Sequence, residues 1–531
     1  MQADRRAAGS EMTVDGFYAL AEASPDRTAL VDAAGRSTTR GELLDAMNRI
    51  ARGIRELGVG TGETVAVVLS NRREFVEVYG AAIQSGLYFV ALNWHLKAQE
   101  IGDILHDSAA KLLVTEAAYA GIARAAAEHA GIAEGMRFAV DPSPGFAPLA
   151  ALISGQSSAA PPIRSAGQII FFTSGTTGRP KGVRKSFPGG PSQELRLTSG
   201  IGPIHRGAAA ATAQGTDMVY LSSGPLYHAL PLAGVLNALD RGGMVVMMDK
   251  WTPEGFLRLT EQHKVTHASL VPTMFHRLLA LPEAVRATAD VSSLRFVNHA
   301  GAPCPIDVKR RMIEWFGPII TEAYSSTEGA GTTVSSEEWL RKPGTVGRPS
   351  PGVEIKIYDD EGNECPPGVP GLVYMTPSLW DFEYLHDADK TQRARRGAMF
   401  TVGDIGYLDE DGYLFLCDRQ ADTIVSGGVN IYPAEIEATL AAHPAVRDVA
   451  VVGVPNEEWG EEVKAVVELH PDISPDVELA AELIDHCRNA LAHFKCPRSV
   501  DFAPSLDRDP NGKLRRHVIR SRYWPDPSRR I

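Results

Sequence analysis

Residues 169–182 read IIFFTSGTTGRPKG, an apolar run that empties into glycines and hydroxyls and ends in a lysine and a glycine. The run suits a buried strand. The loop suits an anion, because small residues expose their own N–H groups and glycine lets the backbone close on phosphate oxygens. Ser174, Thr176 and Thr177 add hydroxyl donors, and Lys181 adds a point charge. The P-loop of nucleotide triphosphatases also sets a glycine six residues before its lysine, as Gly175 and Lys181 are set. It then needs a hydroxyl residue after the lysine to hold magnesium. Here Pro180, which has no N–H, precedes the lysine, and Gly182, which has no hydroxyl, follows it. The loop is a phosphate cradle of another kind.

The surroundings read as α/β. Leu43, Met47, Ile50, Ile54 and Leu57 recur at helical spacing before Gly58, which predicts a helix and its stop. Short apolar runs at 64–69, 88–92, 218–221, 244–248, 268–271 and 296–298 alternate with helical patterns, as strands of a parallel sheet do. The stretch SGQSSAAPP at 154–162 reads as an exposed connection. After about Val353 the texture becomes hairpins with Asp/Glu/Gly turns, and from Ala421 a smaller α+β unit follows.

A chain of 531 residues is too long for one compact core. With 44% hydrophobic and 22% charged residues it has the mix of a soluble globular protein. A net charge of −12 argues against a general nucleic-acid surface. No apolar run is long enough to span a membrane, and the N-terminal MQADRRAAGSEM lacks the apolar core of a secretory signal. Five scattered cysteines without a C-x-x-C pair fit a reduced, cytoplasmic setting. His486, Cys487, His493 and Cys496 match no zinc-finger spacing and read as part of an amphipathic helix. The basic GKLRRHVIRSRY near the C-terminus reads as a solvated helix rather than a nucleic-acid contact.

The string TSGTTGRPKG at 173–182 resembles the phosphate-binding signature of the adenylate-forming enzymes: acyl-CoA synthetases, luciferases and the adenylation domains of peptide synthetases. Companions follow in that family's order. Pro225-Leu226-Tyr227-His228 resembles its PLYH segment, and His299-Ala300-Gly301-Ala302-Pro303 its adenine-side loop. Tyr324-Ser325-Ser326-Thr327-Glu328 resembles its YGxTE, and Val402-Gly403-Asp404 with Gly406-Tyr407 its ribose motif. Asp418-Arg419 precedes the hinge, Ser426-Gly427-Gly428-Val429-Asn430-Ile431-Tyr432-Pro433 resembles the SGG loop, and Pro510-Asn511-Gly512-Lys513 the catalytic-lysine motif.

The resemblance implies an α/β fold: a large N-terminal domain of mixed sheets flanked by helices over 1–420, and a small α+β lid over 421–531. It implies ATP, Mg2+ and CoA as cofactor and co-substrates, and a small carboxylic acid as partner, and it leaves a homodimer open. Thr173, Ser174, Gly175, Thr176, Thr177, Gly178 and Lys181 would cradle phosphates. Gly301, Ala302 and Pro303 would line the adenine side, and Tyr324 would stack on the base. Thr327, Gly427 and Gly428 belong to the same nucleotide set. Asp404 would pair with the ribose hydroxyls, Arg419 would contact ribose or phosphate, and Glu328 would hold magnesium. Lys513 would bridge carboxylate and phosphate in the transition state, then leave as the lid swings to admit the CoA thiol. His228 would lie between the acyl tunnel and the CoA channel. The uncharged ALPLAGVLN that follows it would wall the acyl pocket, with Ala233 and Gly234 leaving room.

The sequence departs from the family pattern at Ala421, a hinge position that is often Asp or Lys, at Ser325, where glycine is common, and at Val402, inserted between Thr401 and Gly403. The expected reaction is AMP-forming ligation of a hydrophobic acid, fatty or bulky and aryl, to CoA. Transfer of the acyl group to a carrier protein is the nearest alternative. No carrier-type serine motif follows in this chain, which leans the reading to CoA. A non-catalytic nucleotide-binding protein is the alternative from another class. The intact Lys181, Glu328, Asp404 and Lys513 set argues against it.

Overall fold

The computed structural model describes residues 16–173, 181–186, 195–201, 217–302, 304–329, 331–377, 381–419, 422–426, 429–456, 459–508 and 514–524.

Two large sheets carry parallel cores. In the eight-stranded sheet, Gln168–Thr173 is parallel to Tyr88–Ala91, followed by Thr64–Val68, Ala110–Thr115 and Arg137–Ala139. The strand that leads into the phosphate loop therefore sits inside a buried sheet. Its other edge is extended by two antiparallel strands, Lys181–Lys185 and Phe382–Tyr384. In the nine-stranded sheet the parallel run is Thr28–Val31, Met244–Met247, Val219–Ser222, His267–Leu270, Phe296–His299 and Ile320–Tyr324.

Local chemistry explains the helices. Arg40–Glu56 starts with a capping box, in which the Thr39 hydroxyl accepts from Glu42 N–H and the Glu42 carboxylate accepts from Thr39 N–H. It stops where Gly58 takes φ +82°, a left-handed conformation that favours glycine. Leu43, Met47, Ile50 and Ile54 are buried on its inner face. The connection at 154–162 is tied down by Asn48 and Arg49, which donate to the Ser158 and Gln156 carbonyls.

Past Val353 an antiparallel sheet of six strands forms. It includes Ile355–Tyr358 paired with Gly371–Met375, and Asp404–Leu408 paired with Leu414–Arg419. The latter hairpin turns at Asp409, whose carboxylate accepts from the N–H groups of Asp411 and Tyr413, with Gly412 at φ +77°. A last sheet of five strands is built on the long pair Val446–Asn456 and Gly460–Leu469, covered by Pro433–Ala441 and Val477–Ala490. Cys487 and Cys496 lie in its apolar core, and His486 pairs with the Thr439 carbonyl. Among the described residues no helix is long and apolar enough to cross a membrane.

Candidate active site

The resembling motifs converge on the C-terminal ends of the parallel strands, where ligands of open α/β sheets collect. Gly301 follows Phe296–His299 and takes φ +88°, so the chain turns away from the sheet at Gly301 and Ala302. Tyr324 ends Ile320–Tyr324, and Thr327 and Glu328 follow in the loop. Asp404 begins the strand Asp404–Leu408 of the antiparallel sheet. Gly403 before it has φ +83°, and its N–H is held by the Thr401 hydroxyl at 3.1 Å, across the inserted Val402. The Tyr324 hydroxyl donates to Asp404 Oδ2 at 2.6 Å. Arg419 is the backbone partner of Asp404 across the hairpin.

Glu328 is buried and gripped from two sides. Its Oε1 accepts from the Tyr384 hydroxyl at 2.7 Å and its Oε2 from the Thr327 hydroxyl at 3.0 Å. Tyr384 arrives from the edge strand paired with Lys181–Lys185. Burial and the Glu328 charge hold its phenol well above the ordinary tyrosine range, so it remains a donor. Lys181 pairs with Asp387 at 2.7 Å, and this contact helps hold the Asp387 carboxyl below its usual range. Lys185 is buried, and desolvation pulls its ammonium down to about 8 although the Glu328 charge works against this. Lys390 lies 4.1 Å over the Tyr384 ring, its pKa lowered first by burial and then by Lys181. Three lysines thus meet around two carboxylates. That is the charge pattern for a polyanion that carries its own cation.

Lys185, Tyr384, Asp387 and Lys390 are absent from the sequence reading. The first had a signal. In KGVRK, Lys181, Val183 and Lys185 share one face of a strand. The other three lie some 200 positions downstream, and only the strand pairing brings them in.

His228 immediately precedes the helix Ala229–Asp240, and its N–H donates to the Pro225 carbonyl at 3.1 Å. Asn71 fixes this turn, its Nδ2 donating to the Gly224 carbonyl and its Oδ1 accepting from Leu226 N–H, both at 2.9 Å. The His228 ring lies 4.5 Å from that of Tyr227, which meets Trp94 edge-on at 4.5 Å. Ser174, Gly175, Thr176, Thr177, Gly178, Pro303, Ala421, Gly427, Gly428 and Lys513 lie outside the described residues, as do the side chains of Thr173 and Arg419. Among the described residues no three His, Cys, Asp or Glu side chains are grouped to hold a metal ion.

Residues 17–378 match the model of the AMP-binding enzyme family, and residues 435–513 that of the AMP-binding enzyme C-terminal domain. A feruloyl-CoA synthase of an Amycolatopsis species is 33% identical over 508 residues, covering 95% of this chain and 97% of its own. A fatty acid–[acyl-carrier-protein] ligase, ScoC, of Streptomyces coeruleorubidus is 30% identical, covering 94% of each. The crystal structure of ATP-bound MatB from Rhodopseudomonas palustris has a TM-score of 0.81 at 28% identity, covering 94% of this chain and 96% of that one. With one family model spanning most of its length and relatives aligned almost end to end, the chain belongs to the AMP-binding enzyme family.

Proposed function

We propose that the protein is an ATP-dependent, AMP-forming ligase that activates a hydrophobic carboxylic acid as its acyl adenylate and transfers the acyl group to CoA. A carboxylate is a poor acylating agent, because its leaving group would be oxide. Attack of a carboxylate oxygen on the α-phosphorus of ATP expels pyrophosphate and converts that leaving group to AMP. Charge builds on phosphate oxygens in this in-line step, so catalysis rests on positioning and on cations. The single observation that carries the reading is the doubly held Glu328 amid Lys181, Lys185 and Lys390.

Magnesium fits this donor set. The ion is usually held by one or two carboxylates together with substrate phosphates, and Glu328 offers one oriented carboxylate. When bound, it would neutralise phosphate charge. Asp404, with Tyr324, would hold the ribose hydroxyls. The Ser174–Gly178 loop with Lys181 would hold phosphates, and Lys181 would exchange Asp387 for them. Gly301, Ala302 and Pro303 would flank the adenine. Lys513 would act in adenylation, and residues 421–531 would rotate about Ala421 to bring Gly427 and Gly428 up for the thiol. Five scattered cysteines without a C-x-x-C pair support a cytoplasmic setting.

Similarity to a carrier-protein ligase favours one second reading, in which the acceptor is a carrier-bound thiol. A panel of carboxylic acids assayed for pyrophosphate release from ATP, with CoA, with a phosphopantetheinylated carrier and with neither, separates the two. The proposal expects acid-dependent release and a CoA thioester. Turnover with the carrier alone would replace CoA as acceptor, and acid-independent release would remove the ligase assignment.

A further inference from the structure

Central strands of a parallel sheet are covered on both faces and usually read as continuous apolar runs. Three neighbours in the nine-stranded sheet alternate instead. Leu221, Ala268, Leu270 and Val297 share one face and pack into a hydrophobic core. Register pairs Tyr220 with His267, His267 with Phe296, and Ser269 with Asn298, so these side chains share the other face. That face is largely polar. It meets the stripe Leu230, Ala233, Gly234 and Asn237 of the helix that begins after His228, and the two line a cleft.

Two buried hydrogen-bonding groups of the cleft lack a partner among the described residues. Tyr220 and Asn298 are 3% and 7% exposed. The Tyr220 hydroxyl and Asn298 Oδ1 have no hydrogen-bond partner among the described residues. Burying such groups unpaired is costly, and native structures rarely do it without a purpose. Gly234 is shaped to this arrangement, since a Cβ there would stand 2.0 Å from the Tyr220 hydroxyl. The room that the sequence suggests at Gly234 is therefore filled by the tyrosine. Burial pushes the Tyr220 hydroxyl up to about 12, so it is a neutral donor and acceptor. At the far end Asn237 Oδ1 accepts from Arg241 Nε at 3.2 Å, which leaves its amide N–H groups to donate. His267 beside it is held neutral, its pKa pulled down to about 4 by burial.

From Leu230 to Asn237 the helix advances about 10 Å, the reach of one ring on a short spacer. Tyr220 and Phe296 supply aromatic walls that suit a flat group. Resting on the ligase reading above, we infer that the acid taken here is an aryl acid with a polar ring substituent, a phenolic hydroxyl or its ether, and not a plain alkyl chain. The substituent meets the Tyr220 hydroxyl and the Asn298 amide, and the ring fills the apolar part of the cleft.

The test is ATP–pyrophosphate exchange by the full chain on matched acids: 3-phenylpropenoic acid, its para-hydroxyl and hydroxyl-methoxyl derivatives, and straight-chain acids of equal length. The wild type should favour the hydroxylated acids over the unsubstituted acid by at least about tenfold in kcat/KM. A site built to bond a substrate hydroxyl discriminates strongly against its absence. Tyr220→Phe and Asn298→Leu should each cut that ratio by about tenfold. A wild-type ratio at or below one overturns the inference without recourse to any variant. So does a ratio that survives both substitutions. Exchange with plain acids only would leave the ligase reading standing and remove this one, whereas exchange with no acid of any kind would remove both.

Discussion

The hydroxyl of Tyr324 donates to Asp404 Oδ2 at 2.6 Å, tying the end of a parallel strand to the start of an antiparallel one. The residues proposed to hold adenine and ribose are thus tied directly to each other. Removing the hydroxyl leaves a buried carboxylate short of a donor, and hydrogen bonds to charged groups are worth about 1.5–3 kcal/mol. Tyr324→Phe should raise KM for ATP about tenfold with little change in KM for the acid, and Asp404→Ala should cost more. Initial rates against ATP at saturating acid measure this. An effect confined to the acid would contradict the assignment.

Tyr384 acts on Glu328 as Tyr324 acts on Asp404, from a different sheet, at 2.7 Å. It does not reach the nucleotide in this account, so it is a positioning residue. Loss of such a partner behind a metal-binding carboxylate typically costs 10–100-fold in metal affinity or activity. Tyr384→Phe should shift the Mg2+ dependence of pyrophosphate release to about tenfold higher concentration and recover at high Mg2+. A variant that loses rate uniformly at all Mg2+ concentrations would show a role unconnected with Glu328.

Lys185 gives a pH prediction. Burial lowers its pKa from 10.5 to about 8, so the folded state is penalised wherever the unfolded chain is charged. The penalty is full below pH 8 and vanishes as pH rises to about 10.5, and its upper bound is about 3 kcal/mol. Lys185→Met should therefore melt above wild type near pH 7, and the gap should close between pH 8 and 10.5. Thermal midpoints across that range test it. A gap that is constant with pH would mean that packing, not charge, sets the difference. The same variant should lose ligase activity.

The elements were legible where periodicity was clear. The helix at Arg40–Glu56 and the strands at Thr64–Val68 and Tyr88–Ala91 follow from spacing, and the hairpin at Asp404–Arg419 from its Asp/Glu/Gly turn. The site was half legible. Glu328, Tyr324 and Asp404 stand in ordered motifs, but the grip of Tyr384 on Glu328 spans 56 positions and two sheets. No local pattern encodes it. The polar face of the cleft was not legible for a different reason. The helix after His228 is apolar, yet its partner face is not, and that face is written as alternation in strands that short-run hydrophobicity treats alike: VYLS, HASL and FVNH.

Lys513 is proposed to act only in the first half-reaction. Lys513→Ala should lower acid-dependent pyrophosphate release by about 100-fold, at the lower end of what loss of one transition-state donor costs. Thioester formation from supplied acyl adenylate should stay within about threefold of wild type. Equal loss in both halves, measured separately, would place the lysine elsewhere.

Oxygen transfer from the acid reports on the adenylation step itself. If a carboxylate oxygen attacks the α-phosphorus, that oxygen leaves with AMP when CoA takes the acyl group. With doubly 18O-labelled acid, ATP and CoA, the account predicts AMP carrying one 18O, unlabelled pyrophosphate and a thioester retaining the other label. Label in orthophosphate together with ADP, or unlabelled AMP beside a formed thioester, would contradict it.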